Sequence, residues 1–300
     1  MYDIIIVGAG PAGLTAAIYA RRANKKVLVL EANTYGGQII NTKTIENYPV
    51  NPGISGFDFA TKLYNQTKDL GAEIKFEKVT DITETEVITT KETYKTKTII
   101  LATGADNRKL KLENEDKLTG KGISCCATCD GAFYKNKIVA VNGGGNTALE
   151  DAIYLSDLAE TVYLIHRREE FKAEEILINQ MKEKKNIKTI MNTTITKING
   201  ENKLESIELT NNNKETQTLN IDGLFIAVGQ VPETENFKKL ININEQGYVI
   251  ANENCKTNIK NIFVAGDNRT KNLRQLVTAT SDGAIAATAA IKYINENKDK

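Results

Sequence analysis

Asp3-Ile4-Ile5-Ile6-Val7-Gly8-Ala9-Gly10-Pro11-Ala12-Gly13 opens the chain with a β-branched apolar run that stops on a glycine turn. An unbroken apolar run of this kind marks a strand buried on both faces of a parallel sheet, whereas a half-exposed strand alternates. Leu14-Thr15-Ala16-Ala17-Ile18-Tyr19-Ala20 then has helical character, Lys26-Val27-Leu28-Val29-Leu30 is the returning strand, and Glu31 ends it. A G-x-G-x-x-G turn alone is often only a turn. Framed by strand, helix, second strand and terminal acid, Gly8, Gly10, Pro11, Ala12 and Gly13 read as a dinucleotide-binding turn. The glycines let a pyrophosphate approach the backbone at the helix N-terminus, and Glu31 is placed to accept hydrogen bonds from a ribose.

The pattern comes twice. Lys137-Ile138-Val139-Ala140-Val141-Asn142 is a strand, Gly143-Gly144-Gly145-Asn146-Thr147-Ala148 the turn, Leu149 to Ser156 the helix and Thr161-Val162-Tyr163-Leu164-Ile165 the return. His166 stands at the same offset from Gly143 as Glu31 from Gly8. Here the acid is replaced by His166-Arg167-Arg168, with Lys172 one turn on. A carboxylate suits a free 2′-hydroxyl and basic residues suit a 2′-phosphate, so the second site is expected to prefer NADPH. Read alone, Arg167 and Arg168 are a solvated basic patch; their register with Glu31 argues for the cofactor. The far strands match as well, Thr98 to Gly104 in the first copy and Leu224 to Gly229 in the second. The expected class is α/β, with two Rossmann-like domains.

Between the two signatures lies Ser124-Cys125-Cys126-Ala127-Thr128-Cys129-Asp130-Gly131. A Cys-x-x-Cys pair can close a small reversible disulfide, one thiolate attacking and the other resolving. Its place between two dinucleotide sites suggests a dithiol at the end of an electron relay. Zinc usually takes four Cys or His ligands. Outside this cluster the chain offers only Cys255 and His166, so no metal site is expected. Nothing marks the chain as secreted, which disfavours a structural disulfide. Asp130, beside the second cysteine, is within reach of a proton entering or leaving sulfur. An Asp there equally suits a helix start.

A length of 300 residues leaves room for two cores. Hydrophobic residues at 41% and charged residues at 26% describe an ordinary globular chain. A net charge of +1 gives no reason to expect nucleic acid or an anionic membrane as partner. The start, Met1-Tyr2-Asp3, lacks a basic n-region, and no run of about 18 apolar residues occurs, so the expected location is the cytoplasm.

Gly36-Gly37-Gln38 and Ile45-Glu46-Asn47-Tyr48-Pro49 are turn-rich loops to which chemistry alone assigns no ligand. Phe57 to Gly71 reads as an amphipathic helix, Glu73 to Thr98 as a small antiparallel sheet, and Lys109 to Lys121 as a charged linker. In the tail, Asn261-Ile262-Phe263-Val264-Ala265-Gly266-Asp267 is a strand ending in Gly-Asp, followed by Arg274-Gln275 and a helix starting near Ser281. The carboxylate suits a cofactor hydroxyl, and the helix N-terminus an electron-rich group. Cys255, in a polar segment, reads as incidental.

Together, Gly8 to Gly13, Gly36-Gly37-Gln38, Cys126-Ala127-Thr128-Cys129-Asp130-Gly131, Gly143 to Ala148, His166-Arg167-Arg168 and Gly266-Asp267 with Arg274-Gln275 resemble the low-molecular-weight, bacterial-type thioredoxin reductases over nearly the full length. The resemblance implies a homodimer of three-layer ββα domains, with FAD on a discontinuous domain of residues 1–112 and 242–300. An inserted NADPH domain, 113–241, would carry the redox cysteines. It adds Gly37, Gln38, Asn47, Thr103, Gly104, Gly266, Asp267, Arg274 and Gln275 to the first cofactor site, and places Gly143, Gly145, Asn146, Thr147, His166, Arg167, Arg168 and Lys172 at the second. It implies hydride transfer from NADPH to the flavin, then reduction of the Cys126–Cys129 disulfide, then of the disulfide of thioredoxin. Cys129 would be the thiol nearer the flavin, Cys126 the one that attacks thioredoxin, and Asp130 the proton carrier. One domain would swing against the other between the two halves of the cycle.

Four residues depart from the family pattern. Cys125 adds a thiol that could bridge to Cys129, and Asn142 is polar at a usually aliphatic strand end. Lys172 stands where arginine is usual and loses its fork; Glu170 adds an acid beside it. A ferredoxin or flavodoxin reductase of related fold would need no Cys-x-x-Cys, and a dinucleotide sensor would leave the dithiol without a purpose.

Overall fold

Ile4, Ile5 and Ile6 are fully buried in the strand Tyr2–Val7. In the computed structural model, which describes residues 1–42, 44–45 and 47–297, this strand lies in the middle of a sheet. Glu46 of the loop noted above is outside the described residues. The parallel order runs Glu73–Phe76, Val27–Glu31, Tyr2–Val7, Thr93–Leu101, with Ile262–Val264 beside the last. Ile4 and Ile6 enter a core shared with helices, and Ile5 and Val7 one shared with an antiparallel layer. Side chains alternate between the faces of a strand. With a core on each face, every position must be apolar, which is the run seen in the sequence.

The antiparallel layer pairs Val79–Ile82 with Glu86–Thr89, and Glu86–Thr89 with the first half of Thr93–Leu101. The expectation of one antiparallel sheet from Glu73 to Thr98 is thus corrected at its start, because Glu73–Phe76 aligns parallel to Val27–Glu31. On the other face lie the helices Pro11–Arg22, Gly56–Asp69 and Leu276–Glu296. The first and last cross closely because the contact is made of small residues: a Cβ on Gly283 would sit 2.2 Å from the carbonyl oxygen of Ala12. The last helix begins ahead of the expected Ser281, since Gln275 and Thr278 form a reciprocal capping box.

A second unit repeats the layout. Its parallel sheet runs Ile187–Ile190, Thr161–Ile165, Ile138–Asn142, Gly223–Ile226, Ile123–Ser124. Val139 and Val141 face the helical side, while Ala140 faces an antiparallel layer of Thr193–Asn199, Ser206–Asn211 and Thr216–Asn220. Each unit is therefore three-layered, as expected of the class.

The first unit comprises Met1–Asp106 and Val231–Lys300, the second Asn107–Gln230. Residue 112 falls inside the second unit and residue 242 inside the first. The linker reading of Lys109 to Lys121 is corrected here. Glu115, only 4% exposed, accepts from the backbone N–H groups of Leu110, Lys111 and Leu112, and Leu118 is fully buried. One carboxylate folds a segment whose charge suggested solvent. Phe237 and Ile241 in turn sit in the core of the first unit. Among the described residues no helix is long and apolar enough to cross a membrane.

Candidate redox centre and nucleotide sites

The edge strand Ile123–Ser124 delivers the chain to a one-turn helix, Ala127–Asp130, whose N-cap position is Cys126. Three residues make about one helical turn, so Cys126 and Cys129 meet on one side, with Cα atoms 5.3 Å apart and their sulfurs joined in a disulfide. The buried hydroxyl of Ser124 donates to Oδ2 of Asp130 at 2.6 Å and accepts from the backbone N–H of Cys126 at 3.0 Å. Asp130 stands at the start of the following turn, Gly131–Tyr134, but makes no capping bond there. Its carboxylate is held by Ser124 instead, a role the sequence did not suggest because nothing local pairs those two side chains.

Cys125 is partly buried against the core that contains Leu118, Ile123 and Leu224, and stays free. Burial, aided by the carboxylates of Glu115 and Asp130, pushes its thiol up to about 11. The thiolate is the exchanging species, so Cys125 is withdrawn from competition at neutral pH and the feared bridge to Cys129 does not form. Asp151, on the helix Asn146–Ser156, was also missed. Burial and then the neighbouring Glu150 push it up to about 7. A helix-surface acid reads as solvated until its packing is known.

In the first unit the glycine turn ends its strand against the neighbouring one. Gly8 has φ +109° and would place a Cβ 2.3 Å from the carbonyl oxygen of Ala102, so no side chain fits. Glu31 accepts from the N–H groups of Ala9 (2.8 Å) and Asn33 (3.0 Å), which aims the carboxylate at the turn. Gly37 lies against Gly10, with Pro11 beside it, and Gln38 donates to Asp106. Asn47 donates to Oε1 of Gln275 at 3.0 Å. Thr103 donates to the carbonyl of Glu233 and accepts from Asn268, and Gly104 continues the turn at φ +72°. Gly266 packs on Ala12 of the opening helix. Arg274 lies 4.0 Å over the ring of Tyr248 and donates to the carbonyls of Asp267 and Arg269.

The first-site residues thus gather at the C-terminal ends of the parallel strands, where ligands of such sheets bind. Oδ1 of Asp267 and Oδ1 of Asn268 are buried without a hydrogen bond among the described residues. Burial pushes the Asp267 carboxyl up, against the pull of Lys271 and Arg274. A buried acceptor left unpaired is costly. Two of them beside a glycine turn fit a ligand that brings hydroxyl donors, as the ribityl and ribose parts of a flavin nucleotide do.

In the second unit Gly143 takes the place of Gly8, its Cβ position 2.4 Å from the carbonyl oxygen of Ala227. His166 is enclosed. Its ring presses on Gly144, stacks on Phe171 at 5.6 Å, and its Nε2 lies 3.1 Å from the Glu170 carbonyl, which suits the tautomer protonated there. Burial, reinforced by Arg168 and Arg167, lowers its pKa against that bond. Arg167 and Arg168 are exposed. Among the described residues neither is ion-paired to Glu169 or Glu170, which line a cavity of about 520 Å³ with Phe171 and Met181. The backbone N–H of Lys172 donates to Gly144 at 2.6 Å. Asn146 donates to Glu174 Oε1 and accepts from its N–H, both at 2.9 Å. The basic loop is therefore fastened to the glycine turn, and Thr147 lies exposed beside it. Glu174 was not foreseen as half of that clasp.

Residues 2–283 match the pyridine nucleotide-disulphide oxidoreductase family. The chain belongs to that family. It is 42% identical over 305 residues to the thioredoxin reductase of Listeria innocua, covering 100% of this chain and 96% of that protein. It is 45% identical over 298 residues to a 34.2 kDa protein in the rubredoxin operon of Clostridium pasteurianum, covering 97% of each. Its fold is similar to the crystal structure of thioredoxin reductase from Streptococcus pyogenes, with a TM-score of 0.94 and 37% identity over 99% of both chains.

Proposed function

We propose that this chain is an NADPH-dependent thioredoxin-disulfide reductase that holds FAD. The observation that carries the proposal is the Cys126–Cys129 disulfide with Asp130 fastened beside it by Ser124. Membership of the family, and thioredoxin reductases among the full-length relatives, support it. The first unit is assigned to FAD: the turn Gly8 to Gly13 takes the pyrophosphate, Glu31 a ribose, and Asp267 and Asn268 accept hydrogen bonds from its hydroxyls. The second is assigned to NADPH, with Gly143 to Thr147 at the pyrophosphate and Arg167, Arg168 and Lys172 at the 2′-phosphate. His166 shapes that loop from behind. When bound, the two cofactors supply the electron pair that opens the protein disulfide.

The chain's own chemistry is thiol exchange. The Cys126 thiolate attacks one sulfur of the thioredoxin disulfide and the other leaves as a thiolate. The Cys129 thiolate then attacks Cys126 in the mixed disulfide, re-forming Cys126–Cys129 and releasing the second sulfur. Asp130 takes the proton from each attacking thiol as its thiolate forms and hands it to the departing sulfur, so the two protons of the dithiol end on the reduced thioredoxin. The proposal includes a homodimer in the cytoplasm, as the resemblance implies.

The test is a spectrum and an assay. The purified chain should carry a flavin band that bleaches with NADPH, and NADPH oxidation should depend on added thioredoxin. A bleaching band with no thioredoxin-dependent turnover would favour the ferredoxin- or flavodoxin-reducing alternative. No bleaching at all would leave the sensor reading.

A further inference from the structure

The side chain of Asp282, in the helix Leu276–Glu296, is only 4% exposed, yet its carboxylate carries four bonds. Oδ2 accepts from the backbone N–H of Gly266 (3.0 Å), Nε of Arg269 (2.8 Å) and Nζ of Lys271 (3.0 Å). Oδ1 accepts from Nη2 of Arg269 (2.7 Å). Arg269 and Lys271 are as deeply placed, each side chain 6% exposed. The ammonium of Lys271 also lies 3.5 Å from Oδ1 of Asp267. Its hydrogen bond nevertheless goes to Asp282, and Oδ1 of Asp267 is left without one. Two acids and two bases thus close a charge-balanced set, buried except at Asp267, whose side chain is 31% exposed and whose buried Oδ1 is the spare acceptor.

We propose that Asp282 is a positioning residue that keeps Oδ1 of Asp267 open to a hydroxyl of the flavin nucleotide by taking the short hydrogen bond of Lys271, which leaves Asp267 only its longer ion pair. The proposal rests on the flavin reading above. A buried cation without a counter-ion is costly, so removal of the Asp282 charge leaves Arg269 and Lys271 competing for one carboxylate. Lys271, a compact charge on a flexible stem already close to Asp267, turns to it. The acceptor meant for the ligand is then spent on the protein. Removing Lys271 as well takes away the cation that lies at ion-pair distance from Asp267, while Arg269 keeps its bond to the Thr270 carbonyl, and Asp267 is freed again.

The experiment follows FAD release from the purified holoenzyme by recovery of free-FAD fluorescence. Asp282→Asn should release FAD about tenfold faster, the equivalent of one lost hydrogen bond. Asp282→Asn combined with Lys271→Met should return to within about threefold of the wild type. A purely structural role for Asp282 would not be repaired by a second buried substitution. The proposal is overturned if the single variant holds FAD as the wild type does, or if the double variant releases it as fast as the single. Should Asp282→Asn not fold, the double variant decides alone: folded with near-normal release supports the proposal, and unfolded or fast-releasing protein overturns it. A wild-type protein without flavin would overturn the flavin reading itself, an outcome distinct from normal release by the variants.

Discussion

The hydroxyl of Ser124 sits 2.6 Å from Oδ2 of Asp130 and at the same time receives the backbone N–H of Cys126. One buried side chain thereby ties the acid of the redox centre to the backbone of one of its cysteines. Asp130→Asn should slow the dithiol–disulfide step by ~10²–10⁴-fold, the usual range for a general acid–base group. Ser124→Ala removes the anchor and leaves the carboxylate, so its cost should be smaller, about tenfold. Stopped-flow reduction of the flavin by NADPH should change little in either variant. Equal slowing of both half-reactions would mean that the pair only supports the local fold.

The three neighbouring cysteines should separate cleanly. Replacing Cys126 or Cys129 with Ser should abolish thioredoxin reduction while NADPH still reduces the flavin. Cys125→Ser should keep most activity, because burial holds that thiol at about 11 and a weak hydrogen-bonding side chain is exchanged for another. Thiol titration and turnover of the three variants check this. A dead Cys125→Ser beside an active Cys126→Ser would reverse the pairing.

Arg167 and Arg168 are exposed and, among the described residues, not ion-paired to Glu169 or Glu170, which leaves their forks available to a 2′-phosphate. Charge-assisted bonds contribute about 1.5–3 kcal/mol each. Losing both arginines should therefore lower the NADPH-over-NADH ratio by roughly 10²-fold or more, at about 1.4 kcal/mol per tenfold. Arg167→Ala with Arg168→Ala should raise KM for NADPH and leave that for NADH nearly unchanged. Lys172→Ala should do less, since an ammonium is a point charge. Steady-state kinetics with both cofactors decide it, and a wild-type preference for NADH would sink the idea.

Asp151 makes the folded state bind a proton that the unfolded chain has lost. Its pKa rises from 3.8 to about 7 on folding, so the native state gains from low pH and that gain is lost as pH climbs through this window. Asp151→Asn should flatten the fall in stability between about pH 4 and about pH 7 and be the more stable protein above it. Urea midpoints at both ends of the window test the sign. A variant whose midpoint tracks the wild type at every pH would show that Asp151 is not buried in its acid form.

The two nucleotide-binding units were legible in the linear chain because their determinants are local. Ile4 to Val7 and Val139 to Val141 are apolar at every position since each strand meets a core on both faces. Gly8 and Gly143 recur because a strand must turn where a neighbouring carbonyl leaves no room for a Cβ. The spacing of Cys126 and Cys129 is that of a Cys-x-x-Cys exchange pair and makes about one helical turn, so it needed no tertiary knowledge either. What only the folded chain decided is where polar groups find their partners. Glu115 looked like part of a charged linker until it met three backbone N–H groups, and Ser124 looked incidental until it met Asp130. His166 stands in register with Glu31, yet its ring is enclosed between Gly144 and Phe171. Asp282 is an unremarked helix residue until the loop from Gly266 to Lys271 folds onto it. Hydrophobic periodicity and glycine spacing are repeated along the backbone and can be read from it. A polar side chain's hydrogen bond depends on the exact path the backbone takes, even over the three to six positions that separate Glu115 or Ser124 from its partners, and it leaves no periodic trace in the sequence.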